Sequence, residues 1–126
     1  MSQTIHVPWY ATALRGDQLE AALADVTPTA LRYGATSWSL QRSHDDRYKF
    51  LQTVAFADKL DFARWWDGSE MTEMRAITFG WWQIPLLYVP HDVVGEGRIE
   101  PGGDGDGWSV APAPEPAMPE IGRAHV

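Results

Sequence analysis

The sequence of 126 residues contains no cysteine. Disulfide bonds, thiolate catalysis and cysteine-ligated metal sites are therefore excluded, and a chain without cysteine is compatible with a reducing cytoplasm, where we expect this protein to act. No apolar run approaches the roughly 20 residues that a membrane-spanning helix needs. Residues 1–4 have no basic character and no apolar stretch after them, so we do not expect a secretory signal.

Basic residues are also scarce. Ten Lys and Arg stand against 17 Asp and Glu, which gives a formal net charge of −7. Nucleic-acid-binding proteins use positive charge to neutralise phosphates, so we do not expect a nucleic-acid partner. The sequence has no His cluster and no Gly-rich loop between a strand and a helix. We therefore expect no bound metal, flavin, haem or other cofactor.

The composition of the chain changes near residue 95. Gly and Pro fill 11 of the 25 positions in residues 95–119, and large apolar side chains are rare there. Such a segment cannot bury enough apolar surface to offset the entropy lost when it becomes ordered. We predict one domain over residues 1–94, followed by a disordered, acidic and flexible tail over residues 95–119.

Residues 120–126 have a separate explanation. The codons GAG ATC GGA AGA GCA CAC GTC encode this heptapeptide, a TGA stop follows in that frame, and the string matches a widely used short-read sequencing adapter. We interpret residues 120–126 as adapter read-through without a function. The alternative is a natural tail that ends in an apolar docking peptide.

Hydrophobic periodicity in residues 1–94 predicts the order strand-helix-strand-strand-helix-strand. Asp17 and Asp58 suit the N-cap positions of the two helical regions, and Gly34 suits the left-handed residue that ends the first one. Strands are predicted over residues 4–13, 36–42, 47–56 and 83–89. Because split βαβ crossovers are right-handed, this order predicts a ferredoxin-like α+β fold, with a four-stranded antiparallel sheet in the order 4-1-3-2 and the helices on one face.

The third and fourth predicted strands are apolar on both faces. Leu51 in the third strand, and Leu87 and Val89 in the fourth, lie opposite the side chains that face the helices. Helices cover only one face of such a sheet, so a second apolar face needs another partner. We therefore predict a homodimer in which two sheets pack face to face.

Three features of the sequence resemble the dimeric α+β-barrel superfamily, in particular proteins like the antibiotic biosynthesis monooxygenases. They are the element order, residues 47–52 (RYKFLQ) and residues 59–66 (KLDFARWW), and the resemblance covers roughly residues 3–92. It implies a dimeric α+β barrel. Members of this family oxidise polycyclic phenols without a cofactor, degrade haem or have no known reaction. The haem-degrading members use an Asn on the first strand and a His on the second helix, and both are missing here.

The candidate catalytic residues are His6 and Tyr10, which share the less apolar face of the first strand and are predicted to point into the barrel cavity. A neutral His can act as a base near pH 7, and a Tyr hydroxyl can hold or orient a phenolate. Trp65, Trp66 and Trp82 are candidate pocket walls for a flat apolar ligand, with the alternative that they are core and dimer contacts.

Two functions from different classes remain open. The first is a cofactor-independent monooxygenase-like enzyme that acts on an apolar aromatic small molecule in the barrel. The second is a non-catalytic dimeric ligand-binding or interaction module. An open apolar cavity facing His6 and Tyr10 would favour the enzyme, whereas a cavity filled by Trp and Phe side chains would favour the binding module.

Overall fold

The computed structural model describes the backbone of residues 3–101 and 108–110, and the side chains of residues 3–99. The chain divides into two units, Met1–Val93 and Val94–Val126. In the second unit, strands β5 (Ile99–Pro101) and β6 (Trp108–Val110) pair antiparallel. Residues 120–126 and much of the segment 95–119 lie outside the described residues, so the interpretations given to them above stay predictions.

The described residues of the first unit follow the predicted element order. The strands are β1 (Gln3–Tyr10), β2 (Ala35–Arg42), β3 (Lys49–Phe56) and β4 (Val89–Asp92). The helices are α1 (Gly16–Val26), a 3₁₀ helix (Thr27–Tyr33), α2 (Lys59–Trp66) and α3 (Ser69–Ile77). The antiparallel sheet has the order β2-β3-β1-β4, which confirms the predicted 4-1-3-2 order. Among the described residues, no helix is both long and apolar enough to cross a membrane.

Two of the three predicted helix boundaries are confirmed. The carboxylate of Asp58 caps α2 by accepting a hydrogen bond of 2.9 Å from the backbone N–H two residues later. Gly34 ends the 3₁₀ helix at a φ of 105°, where a Cβ would be strained. Asp17, in contrast, does not cap α1, which begins one residue earlier. Its carboxylate instead pairs with the guanidinium of Arg42 on β2 at 2.8 Å, so a strand cation has taken the place of the helix N–H groups.

The last strand of the sheet differs from the prediction. It covers Val89–Asp92 rather than residues 83–89, and residues 83–88 have no regular secondary structure. Pro85 lies in the middle of the predicted strand and has no N–H to donate to a ladder. As a result, Leu87, predicted to face a dimer partner from a strand, lies on an irregular segment with 62% of its surface exposed.

Pro8 is accommodated in the central strand β1 without a bulge, in register with Leu51 of β3. The carbonyl of Tyr10 accepts a hydrogen bond from Gln83 N–H on the edge of β1 that faces away from β3. Because backbone groups alternate along a strand, the Pro8 nitrogen points to the same edge. Pairing with β4 on that edge ends at His6, so β4 has no residue opposite Pro8. The missing N–H of Pro8 therefore costs the β1–β4 ladder no hydrogen bond.

The core lies between the helices and one face of the sheet. Its sheet side is formed by Ile5, Val7, Trp9, Phe50, Val54 and Phe56, and its helix side includes Leu19, Leu23, Phe62, Trp65 and Met71. The residues on the sheet side alternate along each strand with residues that point away from the helices. The periodicity of β1 and β3 therefore assigned their two faces correctly.

A chain of buried hydrogen bonds crosses this core. The indole N–H of Trp9 donates to Gln52 Oε1 at 3.1 Å, and Gln52 Nε2 donates to Thr27 Oγ1 at 2.8 Å. The Thr27 hydroxyl donates to the carbonyl of Leu23 at 2.6 Å, which ends the chain in α1. Gln52 and Thr27 are completely buried. The chain thus joins β1, β3 and α1 through groups that water cannot reach.

We predict that Gln52→Leu lowers the free energy of unfolding by about 2 kcal/mol, because the buried indole N–H of Trp9 then lacks an acceptor. Urea denaturation of the purified protein measures this change. Gln41→Leu is the matched control, since Gln41 is exposed on the neighbouring strand, and it should change stability by less than about 0.5 kcal/mol. Equal effects of the two substitutions would show that the buried chain contributes nothing specific.

Candidate functional site

The sheet separates the predicted site residues into two groups. His6 and Tyr10 point away from the helices, whereas Trp65, Trp66 and Trp82 pack with the core on the opposite face. Trp65 is completely buried and Trp82 is 8% exposed. The structure therefore does not bring the three indoles together with His6 and Tyr10.

The indoles on the helix side make contacts typical of a filled core. Trp65 Nε1 donates to Thr29 Oγ1 at 3.0 Å, and Trp82 Nε1 donates to Thr78 Oγ1 at 2.8 Å. The ring of Trp82 also meets Trp9 edge to face, with 5.4 Å between centroids. Both N–H groups are thus occupied by protein partners, which is the arrangement that buried Trp side chains usually need.

Trp66 is the one predicted pocket residue that is only half-buried. It lies beside Phe62 and Tyr88, with ring centroids 5.7 Å and 5.3 Å away; we call these three residues the aromatic corner. The guanidinium of Arg75 lies 4.6 Å from the centre of the Trp66 ring. A flat ligand could therefore contact the first unit at the aromatic corner, on the helix side of the sheet.

The sheet face that points away from the helices, which we call the open face, is more polar than predicted. Ser, Thr and Gln side chains of β2 and β3 occupy much of it, and Leu51, Ala55 and Val89 are apolar members. The hydroxyls of Ser39 and Thr53 hydrogen-bond across the two strands at 2.5 Å. Most side chains of this face are small, so the groups that could react with a ligand belong to a few larger side chains.

His6 is one of these larger side chains, and its neighbour is His91. The two imidazole rings meet edge to face, with 4.3 Å between centroids. Burial lowers the pKa of His6 below its ordinary value of 6.5, and repulsion from His91 lowers it further. His6 is therefore uncharged at neutral pH, so its free lone pair can accept a proton.

His91 is not among the candidate catalytic residues that the sequence predicts, because the register of β4 could not be known. In the structure, His91 is opposite Thr4 and therefore shares the open face with His6. Its Nδ1 lies 3.2 Å from the carbonyl of Val89, to which it donates when that nitrogen carries the proton. The alternation of hydrophobic residues in the segment 83–89 gave no signal for this placement.

Tyr10 is held by the turn between β2 and β3. Its hydroxyl donates to Asp46 Oδ2 at 2.9 Å, and the other carboxylate oxygen of Asp46 accepts from the Tyr48 backbone N–H at 3.1 Å. The hydrogen bond to Asp46 is the main reason why the pKa of Tyr10 is raised. Tyr10 therefore keeps its proton at neutral pH and offers a ligand its oxygen lone pairs rather than its hydrogen.

A depression of about 450 Å³ lies at this end of the open face. Pro8 and Tyr10 of β1 line it, together with Lys49 and Leu51 of β3, and Gln41 is on its far side. Its volume is in the range of small-molecule sites. Among the side chains described for residues 3–99, no group of three or more His, Asp or Glu could hold a metal ion.

The fold is shared with solved structures of low sequence identity. A proposed antibiotic biosynthesis monooxygenase from Nitrosomonas europaea matches with a TM-score of 0.68 and 16% identity over 74% of this chain and 90% of that protein. A variant of SnoaB, a cofactor-independent oxygenase from Streptomyces nogalater, matches with a TM-score of 0.65 and 11% identity over 75% and 95% of the two chains. Rv0793 from Mycobacterium tuberculosis matches with a TM-score of 0.67 and 12% identity, over 76% and 98%.

No protein-family model and no curated protein matches the sequence. The likeness therefore rests on the backbone, and it confirms the expected fold: this chain has the ferredoxin-like α+β fold of the antibiotic biosynthesis monooxygenase-like proteins. At these identities, the activity of a neighbour is not transferred by the likeness itself.

We predict that His91→Ala raises the pKa of His6, because the repulsion from a protonated His91 is removed. The pKa should still stay below 6.5, since burial is the larger cause of its shift. An NMR titration of the imidazole resonances measures the pKa of His6 in the parent protein and in the variant. His44→Ala is the control, because the His44 side chain is 99% exposed in the turn and should leave His6 unchanged. If the pKa of His6 does not move in His91→Ala, the ring contact does not influence its ionisation.

Proposed function

We propose that this chain forms a homodimeric, cofactor-independent oxygenase that acts on an apolar aromatic small molecule at the open face. The observation that carries the proposal is the placement of an uncharged His6 on the same face as the depression beside Tyr10. The shared fold supports it, since one structural neighbour is described as a cofactor-independent oxygenase.

In the proposed reaction, His6 removes the hydroxyl proton of an electron-rich phenol. The phenolate then transfers electrons from a ring carbon to O₂, and a C–O bond forms at that carbon to give a peroxide. Protonated His6 returns its proton to the peroxide, and the ring carbon then gives its own proton to the departing hydroxide as the O–O bond breaks. One oxygen atom thus leaves as water, and the other remains as the carbonyl of a quinone. One O₂ thus supplies the new carbonyl oxygen and the oxygen of the water, it accepts all the electrons, and no cofactor is consumed.

Tyr10 and His91 have supporting roles in this proposal. Because the Tyr10 proton is directed to Asp46, its oxygen can accept a hydrogen bond from a substrate hydroxyl and orient the substrate. His91 is a positioning residue, which contacts the ring of His6 and favours its uncharged form. Both residues act on the ground state of the complex, so their removal should slow the reaction less than the loss of His6.

A homodimer through the open face is part of the proposal. All the described helices of the first unit pack on the other face, while Leu51 and Val89 present apolar surface on the open face. A second copy facing this surface would close the depression from above, so that a ligand is held between the two sheets and water is excluded from His6. The cysteine-free, acidic composition supports a cytoplasmic location and argues against a nucleic-acid partner.

The second candidate function is a non-catalytic dimeric ligand-binding module. The observation in its favour is the filled helix side of the sheet, where Trp9, Trp65 and Trp82 leave their N–H groups bonded to protein. The proton of Tyr10 is also already engaged, so it is unavailable as a general acid. A module of this kind would bind an aromatic ligand at the depression without turning it over.

We predict that the purified protein consumes O₂ in the presence of a polycyclic phenol and that His6→Gln lowers kcat at least tenfold, because general-base catalysis typically contributes about 100-fold or more. Tyr10→Phe should mainly raise KM. An oxygen electrode measures the rates, and His44→Gln is the control for removing an exposed imidazole. No O₂ uptake with any phenol of a broad panel would favour the binding module, and unchanged rates in His6→Gln would remove His6 from the mechanism.

We also predict a particle of twice the chain mass of 14.1 kDa in light scattering at micromolar concentration. Leu51→Asp should convert it to monomers, because a buried carboxylate on the open face would be repelled by its copy and poorly solvated. Leu60→Asp is the control, since Leu60 is 58% exposed on a helix of the opposite face, and it should leave the dimer intact. A monomeric parent protein would refute the dimer.

A further inference from the structure

On the open face, His6 lies toward one end of β1, and Tyr10 and its direct partner Lys49 of β3 lie toward the other end. Pro8 and Leu51, which are also direct partners, lie between them. From the position of His6 to that of Tyr10 the strand advances four residues, about 13 Å at the usual rise of a strand. The strip of the open face between His6 and Tyr10 is therefore long and has apolar residues in its middle, and the depression occupies its Tyr10 end.

The two ends of this strip differ in charge. His6 is neutral, whereas the ammonium of Lys49 is positive and has no ion pair or hydrogen bond among the described residues. The neighbouring cation Arg42 is different, since Asp17 and Glu20 both hold it at 2.8 Å. Among the cations that line the depression, Lys49 is thus the one that forms no ion pair with a carboxylate of residues 3–99.

Asp46, the acidic side chain bonded to Tyr10, already has partners on both oxygens. Its two carboxylate oxygens accept hydrogen bonds from the Tyr10 hydroxyl and the Tyr48 N–H. The amide of Gln41, across β3 beside Leu51, has no hydrogen-bond partner among the described residues and adds a donor at the same end. One cation and one amide thus face the depression with unused donors.

We infer that the depression binds the carboxylate of an aromatic acid, with Lys49 and Gln41 as its donors and with the aromatic ring on Pro8 and Leu51. The ring system then extends toward His6. This inference rests on the proposed function only for the fate of the ring at His6; the binding of the acid stands on the depression and the charge of Lys49 that lines it. The substrate class that fits is a polycyclic phenol carrying a carboxylate at the end remote from the reacting ring.

The test compares anthracene carboxylate with anthracene carboxamide, two probes of the same shape that differ in charge. Fluorescence titration of the full-length protein gives the ratio of their dissociation constants. We expect the carboxylate to bind about fivefold more tightly, as for a partly exposed ion pair, and the preference to shrink when salt is raised. Lys49→Gln should abolish the preference and Lys49→Arg should retain it.

The chain contains a matched control, because its only other lysine is Lys59, an exposed residue at the start of α2 on the opposite face. Lys59→Gln removes the same charge and should leave the preference unchanged. Equal affinity for both probes in the parent protein, no binding of either probe, or an equal loss in the two variants would overturn the inference. Preferential binding without O₂ uptake would leave the acid site standing and remove the oxygenase, so the two proposals fail separately.

Discussion

The structure depends most on the buried hydrogen bonds that join Trp9, Gln52 and Thr27. A glutamine without exposure in the middle of a strand is costly unless both ends of its amide are bonded. Here one end meets the indole of β1 and the other meets the first residue after α1. A slip of β3 by one residue would move Gln52 to the open face and break both bonds. These hydrogen bonds therefore fix the register of β3 as well as its packing.

That register decides which side chains are available for chemistry. With Gln52 inward, Lys49, Leu51 and Thr53 must point outward beside Tyr10, Pro8 and His6. The helix side is closed by bulky aromatic rings whose polar atoms are already paired. The open face has a neutral imidazole, an ammonium without an ion pair among the described residues, and a depression beside that ammonium. The packing of the core thus determines which side chains point to the open face, and the proposed site lies on this face, opposite the core.

Much of the fold was predictable, because β1 and β3 alternate cleanly and right-handed crossovers leave one sheet order for these elements. The failures have local causes. Residues 83–88 carry the apolar alternation of a strand, yet Pro85 cannot join a ladder, and β4 forms further along the chain. The predicted strand therefore gave no indication that His91 shares the open face with His6. Asp17 has the composition of a cap, but a distant strand supplied the stronger partner, Arg42, and no local pattern encodes that contact.

The candidate site was also predictable only in part, because the sequence pattern reports the faces of strands but not the contacts between distant elements. Strand periodicity placed His6 and Tyr10 on one face, but it could not say on which side of the sheet the helical indoles would lie. We propose that a ligand binds on the open face and not at the aromatic corner of Phe62, Trp66 and Tyr88. A crystal structure of the protein with anthracene carboxylate tests this directly. We expect the ring on Pro8 and Leu51 with its carboxylate at Lys49; a ring bound against Trp66 and Tyr88 would show that the open face is not the ligand site.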